Sequence, residues 1–271
     1  HQVRQLLLYL LGVLSARYGM SLYGFVLMVT HYHLSGCDNA GRLPEFMRDF
    51  HALIARALNA LQGRRDCLWS GQAAVIVRPQ TTEDLLSKII YGMANPAAAD
   101  LVDRIEEYPG VIISPDDIGV DIEVERPDFF FGPRSAFPKK VSVRFDVPPG
   151  FAHLGTDGYK RLLWDQLRQR EAQHRKERRA DRRRTVMGAK RLLAVRLGER
   201  SRRVEKLLQL RPSIAAKLTA ARIAAIEMLK SFRTTYREAY ARWRSGEHDV
   251  EFPPGTWWMC RVAGCPMAPS G

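Results

Sequence analysis

Apolar residues recur at helical spacing near the start of the chain, at Leu6, Leu7, Tyr9, Leu10, Val13 and Leu14. The pattern predicts an amphipathic helix over residues 2–18 that Gly19 ends. From Ser21 the period changes. Leu22, Tyr23, Phe25, Val26, Leu27, Met28 and Val29 form a β-rich apolar run, and His31-Tyr32-His33-Leu34 continues it as a second short strand after a tight turn near Thr30. Gly36 to Gly41, holding Asp38-Asn39, reads as a loop. Helical spacing returns from Leu43 to Leu61 through Phe46, Phe50, Leu53, Ile54, Ala57 and Leu58. Leu68-Trp69 and Ala73 to Val77 predict further strand. Thr82 is the expected cap of a helix starting near Glu83, Asp84 suits its first turn, and Asn95-Pro96 is its expected stop.

The order helix–strand–strand–helix–strand–helix, with a hairpin in its middle, predicts an α+β fold whose helices lie on one face of a small antiparallel sheet. Asp121 to Val124 and Val141 to Val147 are short strand candidates between proline-rich loops, and after Thr156 the pattern is almost wholly helical as far as Arg244. Three parts are therefore expected: an N-terminal domain over 1–112, a proline-rich connection with short strands over 113–155, and a basic helical extension with a tail over 156–271. The apolar stripe Ile214, Leu218, Ile223, Ile226 and Leu229, with Trp243, suits an intrachain helical bundle or, through helices 200–245, a partner protein.

Composition narrows the function classes. With 271 residues, 46% hydrophobic and 26% charged, the chain is neither wholly disordered nor collagen-like nor a disulfide-stapled miniprotein. The net charge is +13, and residues 160–211, with 19 basic against 6 acidic side chains, carry all of that excess. The densest part runs from Arg168 to Arg184 and includes Arg178, Arg179, Arg182, Arg183 and Arg184. Such a run predicts contacts to a phosphate backbone without sequence choice, the plainer reading being a solvated helix face or a disordered arm. Four cysteines point to a reducing, cytoplasmic compartment, and Cys260 and Cys265 are too widely spaced for a zinc knuckle. The longest apolar run, Leu6 to Leu14, falls short of the roughly 20 residues that span a bilayer, so no membrane partner is expected. The first residue is not Met, so the numbering is expected to start inside a longer reading frame or at an expression scar.

The candidate chemistry lies in the hairpin and in the helix after it. His31 and His33 are two apart on a strand, hence on one face, and make half of a divalent-metal site. From that spacing alone, two surface histidines fit as well. Tyr91 and Asn95 are four apart on a helix, hence also on one face. An amide oxygen is a suitable hard third ligand, and a phenol one turn away would sit beside the metal. Taken singly, Tyr91 reads equally as a core tyrosine and Asn95 as a helix stop before Pro96.

In this order the motifs resemble the single-tyrosine HUH transposases, specifically the REP-associated tyrosine transposase group. The matching text is Gly24-Phe25-Val26-Leu27-Met28-Val29-Thr30-His31-Tyr32-His33-Leu34, then Gly63-Arg64-Arg65 and Leu68-Trp69. It closes with Tyr91-Gly92-Met93-Ala94-Asn95-Pro96 through Val102 and Tyr108-Pro109. The likeness covers roughly residues 1–112, and Phe252-Pro253-Pro254-Gly255-Thr256-Trp257 is similar to the tail of longer, basic-extended relatives. Tyr32 fills the hydrophobic slot between the two histidines. The resemblance implies a ferredoxin-like antiparallel sheet, the HUH endonuclease fold. It implies cleavage and rejoining of single-stranded or hairpin DNA through a covalent 5′-phosphotyrosine, at the nucleoid. Tyr91 would be the nucleophile, and His31, His33 and Asn95 would hold Mg²⁺ or Mn²⁺. Arg64, Arg65 and Arg78 are expected to contact the backbone, with Trp69 as a stacking or core residue. A domesticated, catalytically inactive nucleic-acid-binding protein is the alternative, and monomer and homodimer both remain open.

Overall fold

The computed structural model of the chain describes residues 2–69, 74–181, 184–195 and 213–269. Helix α1 (Gln2–Tyr18) forms where its leucine-rich sequence predicts it, but it is not amphipathic. Every residue from Leu6 to Leu14 is buried. A helix that is apolar all round must be covered all round. Helix α2 (Leu43–Gln62) packs on one side of it, and the antiparallel strands at Asp121–Glu125 and Lys140–Arg144 pack on another. The Tyr9 hydroxyl, deep in this layer, donates to the carbonyl of Pro138.

Strand β1 (Met20–Leu27) pairs antiparallel with β2 (Tyr32–Asp38), and the turn between them is closed by Met28 N–H donating to the His31 carbonyl at 2.8 Å. The second strand starts one residue later than expected and runs through Gly36, into the stretch expected to be loop. Glycine is there for a close crossing. The register shifts between Leu22 and Gly24, and a Cβ at position 36 would lie 2.5 Å from the Ser21 carbonyl oxygen. The Asp38 carboxylate then accepts from the backbone N–H groups of Arg42 and Leu43 at 2.9 and 2.8 Å and leads the chain into α2.

The expected single antiparallel sheet is not formed among the described residues. In its place are three two-stranded pieces: β1–β2, the parallel pair β3 (Arg78–Pro79) with β6 (Ile214–Ala215), and the hairpin β4 (Asp121–Glu125) with β5 (Lys140–Arg144). No ferredoxin-like sheet is evident among them. Residues 74–77 form no strand, and Val75 and Ile76 are exposed. The free edge of β1 is met by short stretches instead: Leu27 N–H donates to Val111, Ile113 N–H to Phe25, and Asp146 N–H reaches Leu22, at 2.7, 2.9 and 2.8 Å. Nor do the helices share one face. Phe25 meets Phe50 of α2, whereas its neighbour Gly24 faces Ile89 and Met93 of helix α3 (Thr82–Ala98). Successive strand residues point to opposite faces, so α2 and α3 sandwich the hairpin.

The cap of α3 is Thr81, one residue before the expected one, and its side chain accepts from Asp84 N–H. The helix also runs past Asn95-Pro96 to Ala98. Proline has no N–H to donate to the Gly92 carbonyl one turn back, and its own carbonyl accepts from Leu101 N–H at 3.0 Å. The chain then reverses at Asp100, whose φ is 58°.

Helix α4 (Gly155–Ala180) buries Tyr159, Leu163 and Leu167 in the same core as α1 to α3, so residues 113–155 and the first half of α4 share that core. Further along, its buried positions are charged. Glu171 accepts from Ile105 N–H at 2.9 Å and pairs with Arg168, which also binds Glu106. Arg178 pairs with Asp100 and Asp103, and Arg184 grips Asp100 at 2.9 Å. Met187 and Gly188 donate backbone N–H groups to the carbonyls of Asp100 and Leu101, both at 2.9 Å. The short helix α5 (Ala189–Ala194) follows. Helix α6 (Thr219–Arg244) stands apart from this core. With α7 (Trp257–Arg261) it encloses a small second cluster around Val250, Phe252 and Met259. Among the described residues no helix is long and apolar enough to cross a membrane.

Candidate functional site

The turn after β1 and the first residues of β2 bring His31 and His33 together, with their Nε2 atoms 3.2 Å apart. His31 precedes the strand proper, and Thr30 Oγ1 lies 3.0 Å from its Nδ1. From the opposite side, α3 delivers Asn95, whose amide nitrogen lies 2.7 Å from His33 Nε2. Amide oxygen and nitrogen exchange places by a half-turn about the last side-chain torsion, so the same position can present an oxygen. His33 Nε2 thus has both other donor groups within about 3 Å of it. Neighbouring ligands of a six-coordinate Mg²⁺ or Mn²⁺ ion lie about 3 Å apart, so the spacing fits such a cation. Burial, reinforced by the neighbouring His31, holds His33 down to about 4, so its imidazole is neutral at pH 7 and its lone pair is available. No cluster of three His, Cys, Asp or Glu side chains exists among the described residues, so a metal here depends on the amide.

Tyr91 lies one turn before Asn95. Its ring meets His33 edge-on, with centroids 5.6 Å apart at 89°, and the side chain is 49% exposed. Lys88, one turn earlier again, places its ammonium 5.7 Å from the Tyr91 ring centroid. Two contributors were not visible in the sequence pattern. Lys88 is one. The other is Gly92, where a Cβ would come within 3.2 Å of His33 Cβ, so its missing side chain lets α3 lie against β2. The i+1 position of a glycine beside a candidate nucleophile was the available signal.

The other expected residues are scattered. Tyr32 points to the far face of the hairpin, where its ring packs on Phe50, His51 and Trp69. The Trp69 indole donates to the His51 carbonyl at 2.8 Å, which places that tryptophan in packing away from Asn95. Arg64 and Arg65 follow α2 and are exposed, Arg64 pairing with Asp66, and Arg78 is exposed on β3. Arg178, expected to reach phosphate, is instead buried between Asp100 and Asp103, and Arg184 is committed to Asp100. The cause is the acidic turn after α3, which neutralises part of the basic run within the chain. Arg179 faces solvent. Arg182 and Arg183 lie outside the described residues. Comparison of the chain with protein-family models, with curated proteins and with solved structures finds no match.

Proposed function

We propose that this chain is a metal-dependent single-stranded DNA endonuclease and strand transferase, a transposase of the HUH type acting through a 5′-phosphotyrosine. One observation carries the reading: His31 and Asn95 both lie against His33, beside a half-exposed Tyr91. On this reading the β1–β2 hairpin with α2 and α3 is the kernel of a ferredoxin-like nuclease fold, and the protein works at the nucleoid in the cytoplasm.

His31, His33 and Asn95 would hold Mg²⁺ or Mn²⁺. When bound, the cation offsets the charge that builds on the scissile phosphate. Tyr91 Oη attacks phosphorus, the bond from phosphorus to the 3′ oxygen breaks, and the strand ends as a 3′-hydroxyl and a 5′-phosphotyrosine. The phenolic proton passes to solvent, to which Tyr91 is open, and the departing 3′ oxygen takes one up. A phenol is a weak nucleophile until it is activated, and the Lys88 ammonium, over the Tyr91 ring, helps to hold that ring beside the site. The diester energy is kept in the phosphotyrosine, so a 3′-hydroxyl reverses the step without ATP.

The test is a covalent adduct. The full chain, incubated with a labelled hairpin and Mn²⁺ or Mg²⁺, is expected to yield a denaturation-resistant protein–DNA species. Tyr91→Phe removes only the attacking oxygen and abolishes it, and His33→Ala abolishes it through the metal site. Wild-type chain that binds the hairpin but forms no adduct overturns the enzyme in favour of an inactive binding module.

A further inference from the structure

We propose that the cleft between α3 and α4 binds one unpaired nucleotide of the strand whose phosphate Tyr91 attacks; this rests on the nuclease reading above. The cleft has a volume of about 440 Å³, within the range of small-ligand pockets. Leu86 and Ile90 of α3 give it an apolar floor, against which a base can lay its face. The wall is made by Gln166, Gln169 and Gln173 of α4. Their spacing keeps them on one helical face, next to the buried Leu163–Leu167 stripe. All three amides are exposed to the cleft, Gln173 also donating to Glu177 at 2.7 Å, and each offers a donor and an acceptor. That pair matches the hydrogen-bonding edge of an unpaired base.

Two cations complete the site. Arg170 and Lys217 both line the cleft, and neither forms an ion pair among the described residues. This separates Arg170 from Arg168, Arg178 and Arg184, which are committed to carboxylates of the chain. Glu83 on the rim leaves the pocket with an excess of positive charge, suited to a phosphate. The position also fits. Ser87 lines the cleft and Tyr91 follows it by one turn, a rise of about 6 Å, so a nucleotide held here neighbours the phosphate at Tyr91. Paired charges tie α4 to residues 100–106, the segment that follows α3.

Fluorescence anisotropy with a short unpaired DNA oligonucleotide and the full chain tests this directly. For Arg170→Ala/Lys217→Ala, affinity is expected to fall about tenfold and the log–log salt slope by about 1.4, the change for two lost phosphate contacts on a single strand. For Gln169→Ala/Gln173→Ala, the expected result is loss of the difference between an intact strand and one with abasic sites. Unchanged affinity and slope in the first variant, or an undiminished abasic penalty in the second, overturns the proposal. Thermal melts check that these exposed substitutions leave the fold intact. The adduct assay separates the two readings. Cleft effects without any adduct in the wild type retain the nucleotide site and remove the nuclease, whereas an adduct with all four substitutions silent in binding removes the nucleotide site alone.

Discussion

Helices α4 and α6 are both 26 residues long, and both carry a net charge of +4 in sequence. They are used in opposite ways. Helix α4 buries Leu163, Leu167, Glu171 and Arg178, and several of its arginines grip the acidic turn after α3. Helix α6 buries only Ala225 and Ala239, and Leu218 just before it, Ile223, Ile226 and Met228 are exposed. The apolar stripe expected to close an intrachain bundle therefore closes none among the described residues, and the part of that expectation over 200–212 lies outside them. Net charge along a sequence does not measure charge offered to a partner, since identical totals give one helix built into the core and one that is nearly all surface.

The sharpest way to break that contrast is to truncate matching apolar residues. Leu163→Ala in α4 is expected to cost about 3 kcal/mol in urea denaturation, because its side chain is fully buried, while Met228→Ala in α6 stays within about 0.5 kcal/mol. Equal losses would mean that α6 packs as tightly as α4. Next in size, Arg178→Ala is expected to cost about 2 kcal/mol, since it takes one of two arginines from the buried Asp100 carboxylate and leaves Arg184 in place, whereas its neighbour Arg179→Ala is close to silent in stability.

A smaller effect follows from pH. Hydrogen bonding to Arg168 holds the Glu106 carboxyl below its ordinary value. A depressed carboxylate contributes stability above its unfolded value and loses it as pH falls through the folded one. The pair is partly exposed, so Glu106→Gln is expected to cost under about 1 kcal/mol at pH 7, a difference that shrinks below about pH 4.3. A gap that persists undiminished at pH 2 would assign the effect to packing. Smallest of all, Arg179→Ala is expected to lower the salt slope of single-strand binding by about 0.7, and an unchanged slope would show that this outward arginine touches no phosphate.

Much of the N-terminal half was legible. Helix α2, the start of α3 and the β4–β5 pair follow from periodicity, because each buries one face against a neighbour. The pairing of His31 with His33 and of Tyr91 with Asn95 was readable as strand and helix spacing, but their meeting was not, because it depends on which face of the hairpin α3 covers. Gly36 misled, since a glycine that permits a close strand crossing looks like one that makes a loop. Pro96 misled because proline disfavours a helix that continues through it without forbidding one. Arg178 read as a phosphate contact because periodicity shows which residues share a helix face and not what faces them. The nearest hint was the acidic run Asp100, Asp103, Glu106 and Glu107, which no local spacing rule connects to α4.

The bare backbone at Gly92 has a mechanical consequence. Tyr91 and Asn95 ride on one stiff rod that comes close to the hairpin there, where even a methyl group would have to push His33 aside. Whatever lifts the rod lifts both side chains together. Spacing between the imidazole pair and the amide is thus geared to the reach of the phenol, and neither distance can drift in the course of evolution without dragging the other along.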